Sequence, residues 1–153
     1  RVPQTPLNHA DGSPTMPTGA DNEIWSFGDD HTPILEKYIR FREKMRPYVR
    51  ELMKEAHETG RPVIRPMFYE FPDDKTCWDL QDQYLFGGDL LVAPIVHENT
   101  YEREVYLPKG AKWTLIYDGT EYDGGQTVNV PADISQIPVF LRDGSHDELI
   151  KEI

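Results

Sequence analysis

Two stretches decide the fold: Arg65-Pro-Met-Phe-Tyr-Glu-Phe-Pro72, and Gln-Tyr-Leu-Phe-Gly-Gly-Asp-Leu-Leu-Val-Ala-Pro-Ile-Val at residues 83–96. Each is an apolar run that proline or glycine ends, and a polar segment lies between them. This pattern predicts two buried strands, of which the first ends one structural layer and the second begins another. The sequence before this junction has the pattern of loop and helix, and the sequence after it has the pattern of short strands.

Residues 32–59 carry the clearest helical periodicity in the chain. Thr32 and Pro33 suit the start of a helix, and Gly60 suits its end. The sequence therefore predicts one long helix over 32–59 with a kink near Glu43 to Pro47, because Pro47 removes the backbone hydrogen bond to residue 43. An apolar stripe on this helix recurs at spacings of three and four, as expected for a face in a core: Ile34, Tyr38, Phe41, Met45, Tyr48 and Leu52.

A nearly continuous apolar run predicts a strand over 62–71, covered on both faces as in a parallel α/β sheet. Arg65 lies inside this run and needs a carboxylate or carbonyl partner, because an unpaired buried charge is costly. Glu70 is a catalytic candidate, since barrel enzymes place acids at strand ends; the alternative is that it pairs with a nearby base. A short helix is predicted near residues 80–86.

From residue 89 the sequence changes to short strands separated by turn signals. Apolar and polar residues alternate around Val105, Trp113 and Val130, and the turns contain pairs such as Asp118-Gly119. Such regular spacing is typical of an antiparallel β-sandwich, which we predict for residues 89–153.

Residues 1–31 contain four prolines and no sustained period, which predicts a long loop. His9 lies near acidic residues, but that arrangement is common on solvated loops, and we assign neither a metal site nor a cofactor. Trp25 either anchors the loop to a core or offers a flat face to a sugar or another partner.

Composition excludes several classes of function. The formal net charge of −11 argues against nucleic acid and anionic membrane surfaces as partners, because both bind clustered Lys and Arg. No apolar run approaches the roughly 20 residues that a membrane helix needs. The single cysteine, Cys77, excludes an internal disulfide and favours a reducing, cytoplasmic location.

Several ordered motifs resemble the C-terminal part of glycoside hydrolase family 31, which contains α-glucosidases and α-xylosidases. The resemblance covers roughly residues 22–144. The segments that carry it are Asn22–Gly28, Arg46–Tyr48, Lys54–His57, Arg65–Pro72, Asp82–Tyr84, Phe86–Gly87, Asp89–Val96, Glu104–Thr114 and Ile137–Gly144.

The resemblance implies an α+β fragment that joins the last helix and strand of a (β/α)8 barrel to a proximal C-terminal β-sandwich. Residues 1–31 would border the barrel mouth, 32–88 would end the barrel and 89–153 would form the sandwich. The family's retaining mechanism uses an Asp nucleophile and an Asp acid/base about 5 Å apart. Neither motif is present here, so no catalytic residue is assigned and both are expected upstream. The substrate-contacting His of the family's Arg-x-His-Gly element is not transferred to His9, because no Arg lies two positions before it.

We therefore expect a scaffold from an α-glycosidase that acts on an oligosaccharide or α-glycoside, inactive alone. Its apolar stripe would need a second copy or a complementing chain. Candidates for substrate contact are His9, Trp25 and Glu70. One alternative is a non-catalytic carbohydrate-binding or interaction module that uses Trp25, Trp78 or Trp113. Another is an active enzyme that pairs Glu70 with Asp73 or Asp74.

Overall fold

The computed structural model describes residues 23–153, and the chain divides into two compact units, residues 1–40 and 41–153. In the described part of the first unit, a 3-10 turn at Ile24–Phe27 precedes helix α1 (Thr32–Lys44). The Thr32 hydroxyl donates to the carbonyls of Gly28 at 2.9 Å and Ile24 at 3.2 Å, which fixes the loop to the helix start.

The predicted long helix is two helices. Helix α1 ends at Lys44 and helix α2 (Arg46–Thr59) follows after the single residue Met45. The interruption lies within the region where the sequence predicts a kink, because Pro47 has no N–H to give to the carbonyl of residue 43. Gly60 ends α2 in the left-handed conformation, with φ 76°.

Six strands of the second unit form one antiparallel sheet, in the order β1-β2-β3-β8-β5-β6. Two longer strands, β4 and β7, form a separate antiparallel ribbon over six residue pairs. The bounds of the strands are Ile64–Pro66 (β1), Tyr84–Phe86 (β2), Leu90–Val92 (β3), Glu102–Leu107 (β4), Lys112–Leu115 (β5), Glu121–Asp123 (β6), Gln126–Pro131 (β7) and Val139–Arg142 (β8).

Alternation along the central strands gives the six-stranded sheet two apolar faces. Leu91 and Phe140 point to one face, where they pack with Trp113 and the inner residues of the β4–β7 ribbon. Their neighbours Leu90 and Leu141 point to the other face, which helix α2 and the C-terminal segment 143–153 cover. Both faces are therefore buried inside the second unit, and the β4–β7 ribbon and the helix form layers on opposite sides.

The second half of the predicted apolar stripe has its partner within this chain. Met45 and Leu52 are buried, and Phe41 and Tyr48 pack against the helix face of the sheet. The expectation that the stripe needs a second copy or another chain is therefore wrong for these four residues.

The predicted strand over 62–71 is wrong beyond Pro66. Pro66 starts a single helical turn, α3 (Met67–Glu70), in which Met67 is buried and forms part of the core. In addition, β1 pairs antiparallel with β2, whereas neighbouring strands of a (β/α)8 barrel are parallel. The segment is thus an edge strand of the antiparallel sheet and not a barrel strand.

The predicted short helix near 80–86 is also wrong. A 3-10 turn occupies Lys75–Trp78, and Tyr84–Phe86 is strand β2, which pairs with β1 on one side and β3 on the other. Pairing on both sides outweighs the weak local preference of so short a segment. Because β1, β2 and β3 share one sheet, this antiparallel sheet starts before residue 89.

Candidate functional site

Two arginines and two glutamates form a closed set of ion pairs between α2 and the segment from Arg61 to α3; we call it the ion-pair ring. Arg65 Nη2 lies 2.7 Å from Glu55 Oε2, and its Nη1 lies 2.6 Å from Glu70 Oε1. Arg61 Nη1 lies 2.9 Å from Glu55 Oε1, and its Nη2 lies 2.6 Å from Glu70 Oε1. The ring therefore fastens α2 to the edge of the sheet.

Local structure explains why Arg65 lies inside the ring. It is the buried middle residue of β1, between exposed Ile64 and exposed Pro66, and its side chain is 3% exposed. Its Nε also donates to the Pro62 carbonyl at 2.7 Å. A guanidinium so far from water needs all of these acceptors, because a buried charge that loses its partner destabilises the fold strongly.

Glu70 is a partner of two bases in this ring. Its Oε1 accepts from both Arg61 and Arg65, and its side chain is 13% exposed. Its negative charge raises the pKa of the Arg61 guanidinium and outweighs the opposite effect of burial. A general acid or base needs a carboxyl group free to reach a substrate proton. The pairing alternative therefore accounts for Glu70, and its geometry does not favour catalysis.

Asp74, one of the two aspartates proposed beside Glu70, is likewise held by hydrogen bonds. Its Oδ2 accepts from Tyr106 Oη at 2.8 Å and from the Lys109 N–H at 3.0 Å, and its Oδ1 accepts from the Thr76 N–H at 3.3 Å. Burial alone would raise the pKa of Asp74, but these donors outweigh it and hold the pKa below its usual value. Asp74 ties the 3-10 turn at Lys75–Trp78 to strand β4.

A shallow cavity of about 360 Å³ lies beside the ring. The exposed Asp73 and Lys109 provide an acceptor and a donor at its edge. The full lining is Glu70, Phe71, Pro72, Asp73, Asp74, Lys109 and Gly110.

The three tryptophans differ in exposure. Trp113 is 0% exposed and donates from its indole N–H to the Pro108 carbonyl at 3.1 Å, so it is a core residue and cannot contact a sugar. Trp25 is 71% exposed, in the first unit. Trp78 is 58% exposed, in the second unit. The structure thus removes one of the three sugar-binding candidates and leaves two.

Trp78 belongs to a stacked pair of rings, which we call the aromatic platform. The Phe68 and Trp78 rings lie 4.8 Å apart between centroids, with an interplanar angle of 16°. The Trp78 Nε1 donates to the Pro72 carbonyl at 2.9 Å. Both rings remain exposed, although the stack and the hydrogen bond fix the orientation of the indole.

A polar cluster joins α2 to the C-terminal segment on the helix face of the sheet. The Tyr48 hydroxyl donates to the Phe86 carbonyl at 2.9 Å, and burial raises the pKa of this hydroxyl above its usual range, with Asp89 adding to the effect. The His146 ring packs edge-on against Tyr48, and its Nε2 lies 3.2 Å from Asp89 Oδ2. This cluster holds the C-terminal segment against the helix.

Three further questions from the sequence concern His9, a metal site and a membrane-spanning helix. His9 lies outside the described residues. Within residues 23–153, no group of three or more His, Cys, Asp or Glu side chains is placed to hold a metal ion. No helix among these residues is long and apolar enough to cross a membrane.

The sequence profile of the glycosyl hydrolase family 31 C-terminal domain matches residues 60–145, which include β1 to β8 and the whole aromatic platform. The chain belongs to glycoside hydrolase family 31. The profile begins four residues before β1, so the family 31 C-terminal domain contains the edge strand that the sequence alone assigned to a barrel.

Relatives of known function support the membership in family 31. Alpha-glucosidase 2 of Bacillus thermoamyloliquefaciens is 42% identical over 123 residues, which are 80% of this chain and 16% of that protein. The alpha-xylosidase of Saccharolobus solfataricus is 33% identical over 123 residues, which are 80% of this chain and 17% of that protein.

A solved structure gives the same result for the fold. The crystal structure of a GH31 alpha-xylosidase from a soil metagenome, complexed with xylose, superposes with a TM-score of 0.85 and 41% identity. It covers 96% of this chain, and this chain covers 22% of it. The family 31 chain described here therefore spans less than a quarter of each of these three proteins.

Sequence reasoning missed two features of this family 31 domain. The need of Arg65 for a partner was visible, but nothing in the sequence pointed to Glu55, which lies ten residues earlier on another element. The aromatic platform was missed because Phe68 was assigned to a buried strand. No signal in the sequence marks this pair, because Phe68 and Trp78 lie on two different turns that come together only when Met67 and Cys77 are buried.

Proposed function

We propose that this chain is the C-terminal support of a retaining α-glycosidase that hydrolyses α-glucosides or α-xylosides. The observation that carries the proposal is the family membership combined with the ion-pair ring, which occupies the only strand-end carboxylate that the sequence offered as a catalyst. In this proposal the nucleophile and the acid/base are aspartates of the parent protein outside this chain, and the chain contributes structure.

Residues 32–59 would supply the last helical layer of the parent's (β/α)8 barrel. Support comes from α2, which packs through Tyr48 and Val49 on its own sheet and leaves Met53 58% exposed on another side. In this proposal the exposed side of α2 that carries Met53 faces the rest of the parent protein. A second copy of this chain could cover it instead, and a monodisperse monomer in light scattering would contradict that alternative.

The test compares the chain with the parent protein on p-nitrophenyl α-glucoside and α-xyloside. The isolated chain is expected to release no p-nitrophenol, and the remainder of the parent, expressed separately, is expected to gain activity when the chain is added. Hydrolysis by the isolated chain that Glu70→Gln abolishes would overturn the proposal. A remainder that is fully active and equally stable without the chain would overturn the supporting role.

A direct sugar-binding role also has one specific observation in its favour. Trp78 combines high exposure with a fixed orientation, whereas Trp113, the other tryptophan of the second unit, is fully buried. This role is compatible with the supporting role, because the platform and the ion-pair ring use different side chains.

A further inference from the structure

We propose that the aromatic platform, Phe68 with Trp78, is a binding site for a neutral oligosaccharide. The choice of an oligosaccharide as ligand rests on the proposed function. The site itself rests on the geometry of two single-turn elements and the charges around them.

Both elements bury one residue and display the next. In α3, Met67 is 1% exposed and lies in the core, and Phe68 follows it on the outside. In the turn Lys75–Trp78, Cys77 is 0% exposed and Trp78 follows it on the outside. The core thus fixes both backbones, and the two rings stack at 4.8 Å as a consequence.

The indole is oriented before any ligand arrives. Phe68 covers one face of the Trp78 indole. The indole N–H donates to the Pro72 carbonyl at 2.9 Å, which fixes that edge of the ring. The other face of the indole remains open to solvent. A flat, rigid aromatic face buries apolar ligand surface at a low entropic cost. The C–H face of a pyranose ring is an apolar ligand surface of this kind, and a pyranose ring is similar in width to the rings of the platform.

The surroundings suit a ligand that is polar and uncharged. Pro72, which orients the indole, also lines the cavity of about 360 Å³, so the platform and the cavity meet there. The exposed charged residues of this region are two acids and two bases: Asp73, Asp79, Lys75 and Lys109. These groups offer both acceptors and donors to sugar hydroxyls, and their formal charges cancel.

Charge also argues against a protein as the occupant. The cores of protein interfaces are depleted of charged residues, whereas here the turn that carries Trp78 begins at exposed Lys75 and is followed by exposed Asp79, and the adjoining cavity is lined by exposed Asp73 and Lys109. A small polar ligand that stacks on the rings and leaves the charged groups hydrated fits this pattern better.

The test titrates the full 153-residue chain with maltotriose, isomaltotriose and a xylose oligomer, using isothermal calorimetry and the indole N–H resonances in NMR spectra. We expect saturable binding of at least one sugar and a shift of the Trp78 resonance, with Trp113 unchanged as an internal control. Trp78→Ala is expected to weaken binding roughly tenfold or more, the change that a loss of about 1.4 kcal/mol produces.

Tyr101→Ala is the matched control, because Tyr101 is also an exposed aromatic residue of the second unit, at 69% exposure. It is expected to bind sugar as the wild type does. Trp78→Phe keeps an aromatic ring stacked on Phe68 and should retain part of the affinity for sugar. This second variant tests the platform even if Trp78→Ala does not fold.

Three results would overturn the proposal: no binding by the wild-type chain, equal binding by Trp78→Ala, or a shift confined to Trp25. None of them affects the supporting role, which is measured by the activity of the parent protein. Conversely, loss of the supporting role leaves sugar binding by the chain intact.

Discussion

The two faces of the six-stranded sheet carry apolar cores of different size. The face under the β4–β7 ribbon is an apolar core in which Trp113 and Phe140 are fully buried. The face under α2 has a smaller core, and polar contacts of Tyr48 and His146 fix the helix and the C-terminal segment to it, while the ion-pair ring fastens α2 at the sheet edge. The comparison teaches that both layers combine apolar packing with directional contacts, such as those of Tyr106 with Gln83 and Asp74, and that the ribbon layer packs on the larger apolar core.

The largest effect is expected on the ribbon face. Trp113→Ala should lower the free energy of unfolding by about 4 kcal/mol, because it removes a fully buried indole and leaves a cavity. Urea denaturation measures this, with Trp25→Ala as the exposed control, expected to change stability by less than about 0.5 kcal/mol. Similar losses for the two variants would contradict the assignment of Trp113 to the core.

The next effect is expected on the ion-pair ring. Arg65→Met should cost about 3 kcal/mol, because it leaves Glu55 and Glu70 without their buried partner. Arg61→Met is the matched control, since its side chain is 42% exposed and its loss should cost about 1 kcal/mol or less. If both substitutions had the same effect in urea denaturation, the ring would contribute no more than a surface ion pair.

A smaller effect is expected where α2 approaches the sheet most closely. Gly87 has φ 68°, and a Cβ there would lie 1.9 Å from the Tyr48 hydroxyl oxygen, so Gly87→Ala should cost about 2 kcal/mol through overpacking and backbone strain. Adding Tyr48→Phe removes that oxygen and should recover part of the loss. A double-mutant cycle measured by thermal unfolding gives the coupling free energy between positions 48 and 87. Strictly additive losses of stability would show that the Tyr48 hydroxyl and a Cβ at position 87 do not clash.

The smallest effect concerns Asp74 on the ribbon face and depends on pH. Because its folded pKa is lowered, Asp74 contributes stability above its unfolded pKa and loses it as pH falls through the folded pKa, below the usual value of 3.8. Asp74→Asn should cost about 1 kcal/mol at neutral pH and less in acid. Denaturation at pH 7 and pH 3 tests the difference; a loss independent of pH would mean that the carboxylate charge is irrelevant.

The sequence predicted what depends on local patterns. The helix start at Thr32, the stop at Gly60, the interruption near Pro47 and the short antiparallel strands after residue 89 all follow from capping, proline and alternation. The need of Arg65 for a partner was equally visible in the sequence, because a buried charge inside an apolar run destabilises the fold unless a carboxylate or carbonyl group pairs with it.

The errors arose where partners distant in sequence decide the structure. The run from Ile64 to Phe71 is apolar throughout, so periodicity alone could not show that Pro66 ends the strand and starts a turn. Whether β1 pairs in a parallel or an antiparallel sheet depends on β2, twenty residues later. The platform depends on two turns that come together only after both anchors are buried.

The two edges of the six-stranded sheet have a consequence for aggregation. Each edge strand, β1 and β6, is only three residues long. Pro62 precedes β1 and Pro66 ends it, so this edge offers few of the backbone donors that an added strand would need, and β6 carries the acidic Glu121 and Asp123. The six-stranded sheet is therefore a poor template for strands of other molecules.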